Sequence, residues 1–174
     1  MSEPSETVPS PEDQLAAIAS LSQALEAAGI EHWLFGGWGV DLWVGEITRP
    51  HEDIDVAAWR TDYDAIGTAL LAAGWRHTPV PDEVVGTRYQ LGQAQVEFTF
   101  FVNDVTGMVV VPRPGAPIVV SAEPLGFDRR TMRGVTARVF PLALLRAGKA
   151  TPREGVADGA KDRADLEALS RVTE

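Results

Sequence analysis

Apolar residues recur at helical spacing from Gln14 to Ala28 (QLAAIASLSQALEAA) and stop at Gly29, which predicts an amphipathic helix closed by glycine. His32 to Phe35 reads as a short buried strand, Gly37 to Val44 as a short helix ended by Gly45, and Asp53 to Trp59 as a second strand. A third helix is expected from Asp62 to Ala73, capped by Thr61 or Asp62 and stopped at Gly74. The middle of the chain changes period. Thr87 to Leu91 and Gln95 to Val102 are rich in aromatic and β-branched residues around a Gly92 turn, the pattern of a hairpin. Met108 to Val111, Ile118 to Val120 and Val135 to Phe140 are further strand segments between proline and glycine breaks. Helices from about Leu142 to Ala147 and from about Ala157 to Ser170, joined by a glycine-containing loop, complete the pattern. These elements predict an α/β (α+β) domain: a mixed, twisted sheet with helices mainly on one face.

The period-2 pattern also selects candidate chemistry. In a strand, residues two apart project from one face about 6.5 to 7 Å from each other, so Asp53 and Asp55 point together while Ile54 and Val56 point into the core. Along Gln95 to Phe100, Gln95, Glu97 and Thr99 alternate with Val96, Phe98 and Phe100, which places Glu97 at the centre of a polar face. If the two strands are neighbours with matching faces, Glu97 joins the aspartates. Three crowded carboxylates repel one another unless a cation neutralises them, so such a cluster implies a metal. Glu97 is then either a metal ligand or a base that takes a proton from an attacking hydroxyl. Taken singly, each carboxylate reads first as an exposed strand residue. Just upstream, Gly36 and Gly37 end a strand and open a helix, where the absence of Cβ lets backbone N–H groups approach an anion.

Composition narrows the classes. At 174 residues the chain is long enough for one domain with a real core and short for two. We expect residues 1–13, acidic and proline-rich, to form a flexible lead-in without the features of a secretory signal, and residues 14–174 to form a single domain. The absence of cysteine excludes thiol chemistry and disulfides, makes a cytoplasmic setting the default, and leaves oxygen or imidazole as metal ligands. No apolar run is long enough to span a bilayer as a helix. A net charge of −10 argues against nucleic-acid or anionic-membrane partners and is compatible with a cationic small substrate, although acidic surface also serves solubility.

The pattern Gly36-Gly37-Trp38, Asp41, Gly45, Thr48-Arg49-x-His51-x-Asp53-Ile54-Asp55 resembles the aminoglycoside 2″-adenylyltransferases and related lincosamide nucleotidyltransferases, members of the DNA polymerase β-like nucleotidyltransferase superfamily. The strong match covers some twenty residues, and the order of elements extends it to roughly Val102. The resemblance implies a nucleotidyltransferase fold, Gly36 and Gly37 in the loop that holds a nucleoside triphosphate, and Asp53 and Asp55 as ligands of Mg²⁺. It places Glu97 at the third carboxylate, where relatives often carry Asp. Lys161-Asp162-x-x-Asp165-Leu166 is similar to a Lys-Asp-x-x-Asp-Leu helix of many small nucleotidyltransferases, which makes Lys161 a phosphate contact or part of a solvated helix face.

The implied reaction moves AMP from ATP to a hydroxyl of a small acceptor, foremost an aminoglycoside or lincosamide antibiotic, with Asp82, Glu83 and Asp104 as an acidic cleft for a polycation. Arg49 is expected either to bind phosphate or to pin the loop to Asp41 or Glu52, and His51 to orient that loop, since Mg²⁺ prefers oxygen. Most of the five tryptophans read as core, with one or two left to stack on a base or sugar. The alternatives are a toxin–antitoxin nucleotidyltransferase acting on a protein or RNA, and a non-catalytic nucleotide-binding domain. The short C-terminal part suggests that a homodimer would complete the cleft.

Overall fold

The computed structural model describes residues 8–151 and 156–173. Helix α1 (Pro11–Ala27) starts three residues earlier than the apolar period implies, because Ser10 Oγ accepts the Asp13 N–H at 3.1 Å and Pro11, Glu12 and Asp13 suit a first helical turn. Residues 11–13 therefore belong to the helix rather than to a lead-in. Residues 1–7 of that expected lead-in lie outside the described residues.

Strand β1 (His32–Phe35) runs into α2 (Gly36–Val44), and β2 (Ile54–Trp59) leads through a 3₁₀ turn to α3 (Tyr63–Ala72). The hairpin of β4 (Gly86–Leu91) and β5 (Ala94–Asn103) is present as expected, and a two-residue strand, β3 (Arg76–His77), pairs with β4. The sheet order is β1-β2-β5-β4-β3, with β6 (Val109–Val111) on β5 and β7 (Ile118–Ser121) on β6. β2 and β5 are parallel and the other pairs antiparallel, so the sheet is mixed.

Strand β8 (Arg129–Met132), absent from the sequence pattern, pairs with β9 (Val135–Arg138), and the expected 135–140 strand shortens accordingly. Its turn, Arg133-Gly134, has positive φ at both residues, a primed hairpin turn whose usual Asn-Gly signature is missing. Helix α4 (Leu142–Ala150) outlasts its expected end, and α5 (Val156–Leu169) follows; part of the loop between them, residues 152–155, lies outside the described residues.

One core joins these parts: Ile18, Leu21 and Leu25 of α1, Ile66 and Leu70 of α3, and Val56, Val96 and Phe100 of the sheet are fully buried. No helix among the described residues is long and apolar enough to cross a membrane. The alternation in β2 resolves as expected, with Ile54 and Val56 buried and Asp55 on the other face. Helices α4 and α5 pack against each other and on α2, which brings their polar residues round to the carboxylate face.

His32 is fully buried in β1, its Nδ1–H donating to Ile30 O at 3.1 Å and its Nε2 without a hydrogen-bond partner among the described residues. Burial lowers its pKa, opposed in part by the Ile30 bond. The native state therefore holds the ring neutral, while the unfolded chain takes up a proton below about pH 6.5. Stability is complete above that pH and falls as the solution is acidified toward the native pKa. Urea unfolding between pH 8 and pH 5 is expected to show a steeper loss for the wild type than for His32→Gln; parallel losses would disprove this assignment.

Candidate active site

Parallel pairing of β2 with β5 sets Asp55 directly beside Glu97, which is the neighbour relation that the two polar faces required. Asp53, one residue before β2, completes the group. Carboxylate oxygens of Asp53, Asp55 and Glu97 lie within 4.8 Å of one another, all partly exposed. Burial pushes the Asp53 carboxyl up, and the negative charges of Glu97 and Glu52 push it further, against the pull of Lys161 and Arg88. A carboxyl raised in this way reflects burial first and accumulated negative charge second. Three hard oxygen donors at such spacing fit Mg²⁺, which takes carboxylate oxygen and keeps several waters.

The pocket in front of this cluster, about 260 Å³, is polar and also lined by Gly37, Arg49, His51, Lys149 and Lys161. Lysines from two C-terminal helices thus face carboxylates from the sheet. Gly37 sits in the first turn of α2, whose N-terminus has no side-chain cap, so the backbone N–H groups there suit an anion. Close approach explains both glycines. A Cβ on Gly36, whose φ is +61°, would collide with Asp55 Oδ2, and a Cβ on Gly37 would collide with the His51 ring and lie 3.0 Å from Arg49 Nη2.

The loop before β2 is held from below by Asp41. Its Oδ2 lies 2.6 Å from His51 Nε2, and its Oδ1 accepts from Thr48 Oγ1 at 2.6 Å and from the Thr48 N–H at 3.2 Å. Asp41 is fully buried, His51 is nearly so, and Trp38 packs on the imidazole with ring centroids 5.1 Å apart. His51 therefore orients the loop, as its position suggested. Removing one member of a buried pair strands the other and costs about 3 kcal/mol or more. Asp41→Ala is expected to lose that much in urea denaturation, and a loss well under 1 kcal/mol would contradict it.

Arg49 reaches neither Asp41 nor Glu52. Its Nε and Nη2 donate to Asp165 Oδ1 and Oδ2, at 3.0 Å each, while Lys149 Nζ approaches Asp165 at 2.9 Å and Asp162 at 3.5 Å. Burial pushes Asp165 up, but the bonds from Arg49 and Lys149 outweigh it and hold the carboxyl below its usual range. The fork ties the β2 loop to α5 and, with Lys149, accounts for the buried Asp165 of the Lys161–Leu166 segment, while Lys149 also approaches its buried Asp162. Lys161 itself lines the pocket.

The three acids of the expected cleft are each engaged by local hydrogen bonds. Glu83 accepts from Val80 N–H, Thr87 and Tyr63 beside His77, and Asp104 accepts from Thr106 and Met108 within its own turn. Asp82 binds the Val84 N–H, and none of the three lines a pocket at Asp55. The tryptophans are absent from those pockets too: Trp33, Trp38, Trp43 and Trp75 are core, and Trp59 packs edge-on against Trp33.

Two site residues escape the sequence reading. Lys149 carries no motif, being one cation in a short C-terminal helix. Arg88, whose Nη2 lies 3.2 Å from Glu97 Oε1, was within reach, because the tight turn at Gly92 sets Arg88 opposite Glu97.

A mixed sheet with these carboxylates on adjacent parallel strands is the nucleotidyltransferase fold. The aminoglycoside-2″-adenylyltransferase family model matches residues 17–169, and the chain belongs to that family. Comparison with curated protein sequences gave no match. Among solved structures, the lincosamide antibiotic adenylyltransferase LnuA bound to lincomycin is similar at 18% identity and TM-score 0.67, covering 93% of this chain and 98% of that one. ANT(2″)-Ia in complex with adenylyl-2″-tobramycin is similar at 17% identity and TM-score 0.64, covering 90% of each chain. An antigenic nucleotidyltransferase-like protein from Paracoccidioides brasiliensis matches at 16% identity and TM-score 0.50, covering 90% of this chain and 75% of that one.

Proposed function

We propose that the domain expected over residues 14–174, extended to residue 11 by the start of α1, acts as one Mg²⁺-dependent adenylyltransferase that moves AMP from ATP to a hydroxyl of a small antibiotic acceptor, an aminoglycoside or a lincosamide. The convergence of Asp53, Asp55 and Glu97 beside a lysine-lined, glycine-floored pocket carries this reading. Lys149, Lys161 and the N-terminus of α2 at Gly36 and Gly37 receive the phosphates, and Arg49 supports that wall through Asp165. The acceptor hydroxyl oxygen attacks the α-phosphorus and gives its proton to Glu97 or to water, a new P–O bond forms, the bond from the α-phosphorus to the bridging oxygen breaks, and pyrophosphate leaves. Asp53 and Asp55 would hold the metal, with Glu97 as a third ligand or as the base that takes the acceptor's proton. When bound, Mg²⁺ supplies positive charge to the transferring phosphate. Positioning and charge complementarity do most of the remaining work.

Two measurements test this. Millimolar Mg²⁺ with an ATP analogue is expected to raise the melting temperature of the wild type, since a ligand at a hundred times its Kd adds about 2.7 kcal/mol. Mass spectrometry of an antibiotic panel incubated with ATP should then find an acceptor heavier by one adenylyl group. Nucleotide binding without any modified acceptor would favour a non-catalytic binding domain instead.

A further inference from the structure

Two arginines pair with carboxylates around the candidate metal site, and they do so differently. Arg49 sets Nε and Nη2 on the two oxygens of Asp165, at 3.0 Å each, and Asp165 is almost fully buried, which is the geometry of a permanent fork. Arg88 meets Glu97 through a single contact, Nη2 to Oε1 at 3.2 Å, and the two side chains are 37% and 39% exposed. Gln95 Nε2 approaches the same Oε1 at 3.5 Å. The Arg88 Nε is buried and has no hydrogen-bond partner among the described residues. An exposed pair with one contact is worth at most about a fivefold bias in an equilibrium, so Arg88 contributes little to folding and is drawn away from Glu97 at small cost.

Its charge nevertheless acts on the site. Arg88 stands opposite Glu97 in the antiparallel register of β4 and β5, and Asp55 stands beside Glu97 in the parallel register of β2 and β5, so one face of the sheet carries the row Asp55, Glu97, Arg88. Arg88, with Lys161, pulls the Asp53 carboxyl down against the pushes of burial, Glu97 and Glu52. The three carboxylates within 4.8 Å of one another repel, and a guanidinium at the end of the row relieves part of that repulsion. A divalent ion would compete for the same negative charge with twice the charge of Arg88 and direct oxygen ligation.

We infer that Arg88 is a resident counter-cation of the carboxylate site: it neutralises Glu97 while the site lacks metal, is displaced as a divalent ion binds, and so keeps the affinity of the free protein for that ion low. The inference rests on the metal reading of Asp53, Asp55 and Glu97 proposed above. It holds whether Glu97 then serves as ligand or as base.

Mn²⁺, titrated alone into the full chain at low ionic strength and followed by the electron paramagnetic resonance of the free ion, tests this. A unit charge about 6 Å from a divalent ion changes its binding by roughly tenfold at the dielectric of water, before screening. Arg88→Gln is therefore expected to bind Mn²⁺ at least about threefold more tightly than the wild type, and Arg88→Lys, which keeps the charge, to stay within about twofold of it. Arg129→Gln removes the same charge from a pair with Glu26, at the other end of β1 from Asp55, and should change the affinity less than about twofold. A role limited to holding Glu97 in place predicts the opposite sign, and weaker or unchanged binding by Arg88→Gln would overturn the inference. Equal tightening by Arg129→Gln would overturn it too, because net charge rather than this pair would be the cause.

The wild type supplies a second measurement should Arg88→Gln fold poorly. The sheltered Arg88 Nε–H, identified by its loss in Arg88→Lys, should shift in NMR spectra of the guanidinium groups as Mg²⁺ is added, in step with the Gly36 amide. A Gly36 amide that responds while the Arg88 signal stays fixed means that the pair survives metal binding, and the inference fails. If no protein in the series binds Mn²⁺ or Mg²⁺, with or without an ATP analogue, the metal reading itself falls and takes the inference with it.

Discussion

An Asp55→Asn variant is expected to lose adenylyl transfer by at least about a thousandfold, the scale seen when one preorganised electrostatic group is removed from a transition state, while remaining fully folded. The substitution keeps the shape of the side chain, so the close packing of Asp55 against Gly36 is undisturbed. It removes one negative charge from a group of three carboxylates within 4.8 Å, and with less mutual repulsion the metal-free variant should melt at or above the wild-type temperature. Its Mg²⁺-induced stabilisation should vanish with the activity. Paired thermal melts with and without Mg²⁺, alongside a pyrophosphate-release assay, check all three effects. A variant that keeps wild-type turnover would remove Asp55 from the chemistry.

The second large effect is expected at Gly36→Ala. This residue sits at φ +61°, a backbone conformation that L side chains rarely adopt, and the new methyl would collide with the Asp55 carboxylate. The backbone strain costs about 1 to 3 kcal/mol, and displacement of the carboxylate by about 1 Å is enough for a hundredfold loss of rate. Stability and activity should therefore fall together, in contrast to Asp55→Asn, where activity falls alone. Chemical denaturation and steady-state kinetics on both variants separate the two patterns. A Gly36→Ala enzyme of normal rate and stability would mean that the β1–α2 turn does not press on Asp55.

Much of the fold is legible in the chain because local patterns and tertiary outcome agree. The alternation of Ile54 and Val56 with Asp53 and Asp55 needs no partner to declare its two faces, and the Gly92 turn fixes the register that places Arg88 opposite Glu97. Glycines 29, 45 and 74 take positive φ where helices end. Strands β3 and β8 are illegible for the opposite reason: one is two residues long, the other is largely arginine and threonine, and each is held by a partner strand rather than by its own propensity.

The site divides in the same way. Sequence alone determined which groups could converge on one site: two carboxylates on one strand face, a third at the centre of another, and a glycine pair where a strand meets a helix. It left undetermined where the long side chains go, since the reach of an arginine or lysine depends on elements distant in the chain. Arg49 found Asp165, 116 residues away, and Lys149 came to line the pocket at Asp55. The acids offered for a cationic acceptor were taken up by their own turns and neighbours, because a carboxylate accepts hydrogen bonds from the nearest donors the fold supplies. Only the tertiary structure decided those partners, for charge pairing and burial are properties of assembled surfaces, whereas strand alternation and glycine turns are properties of the chain.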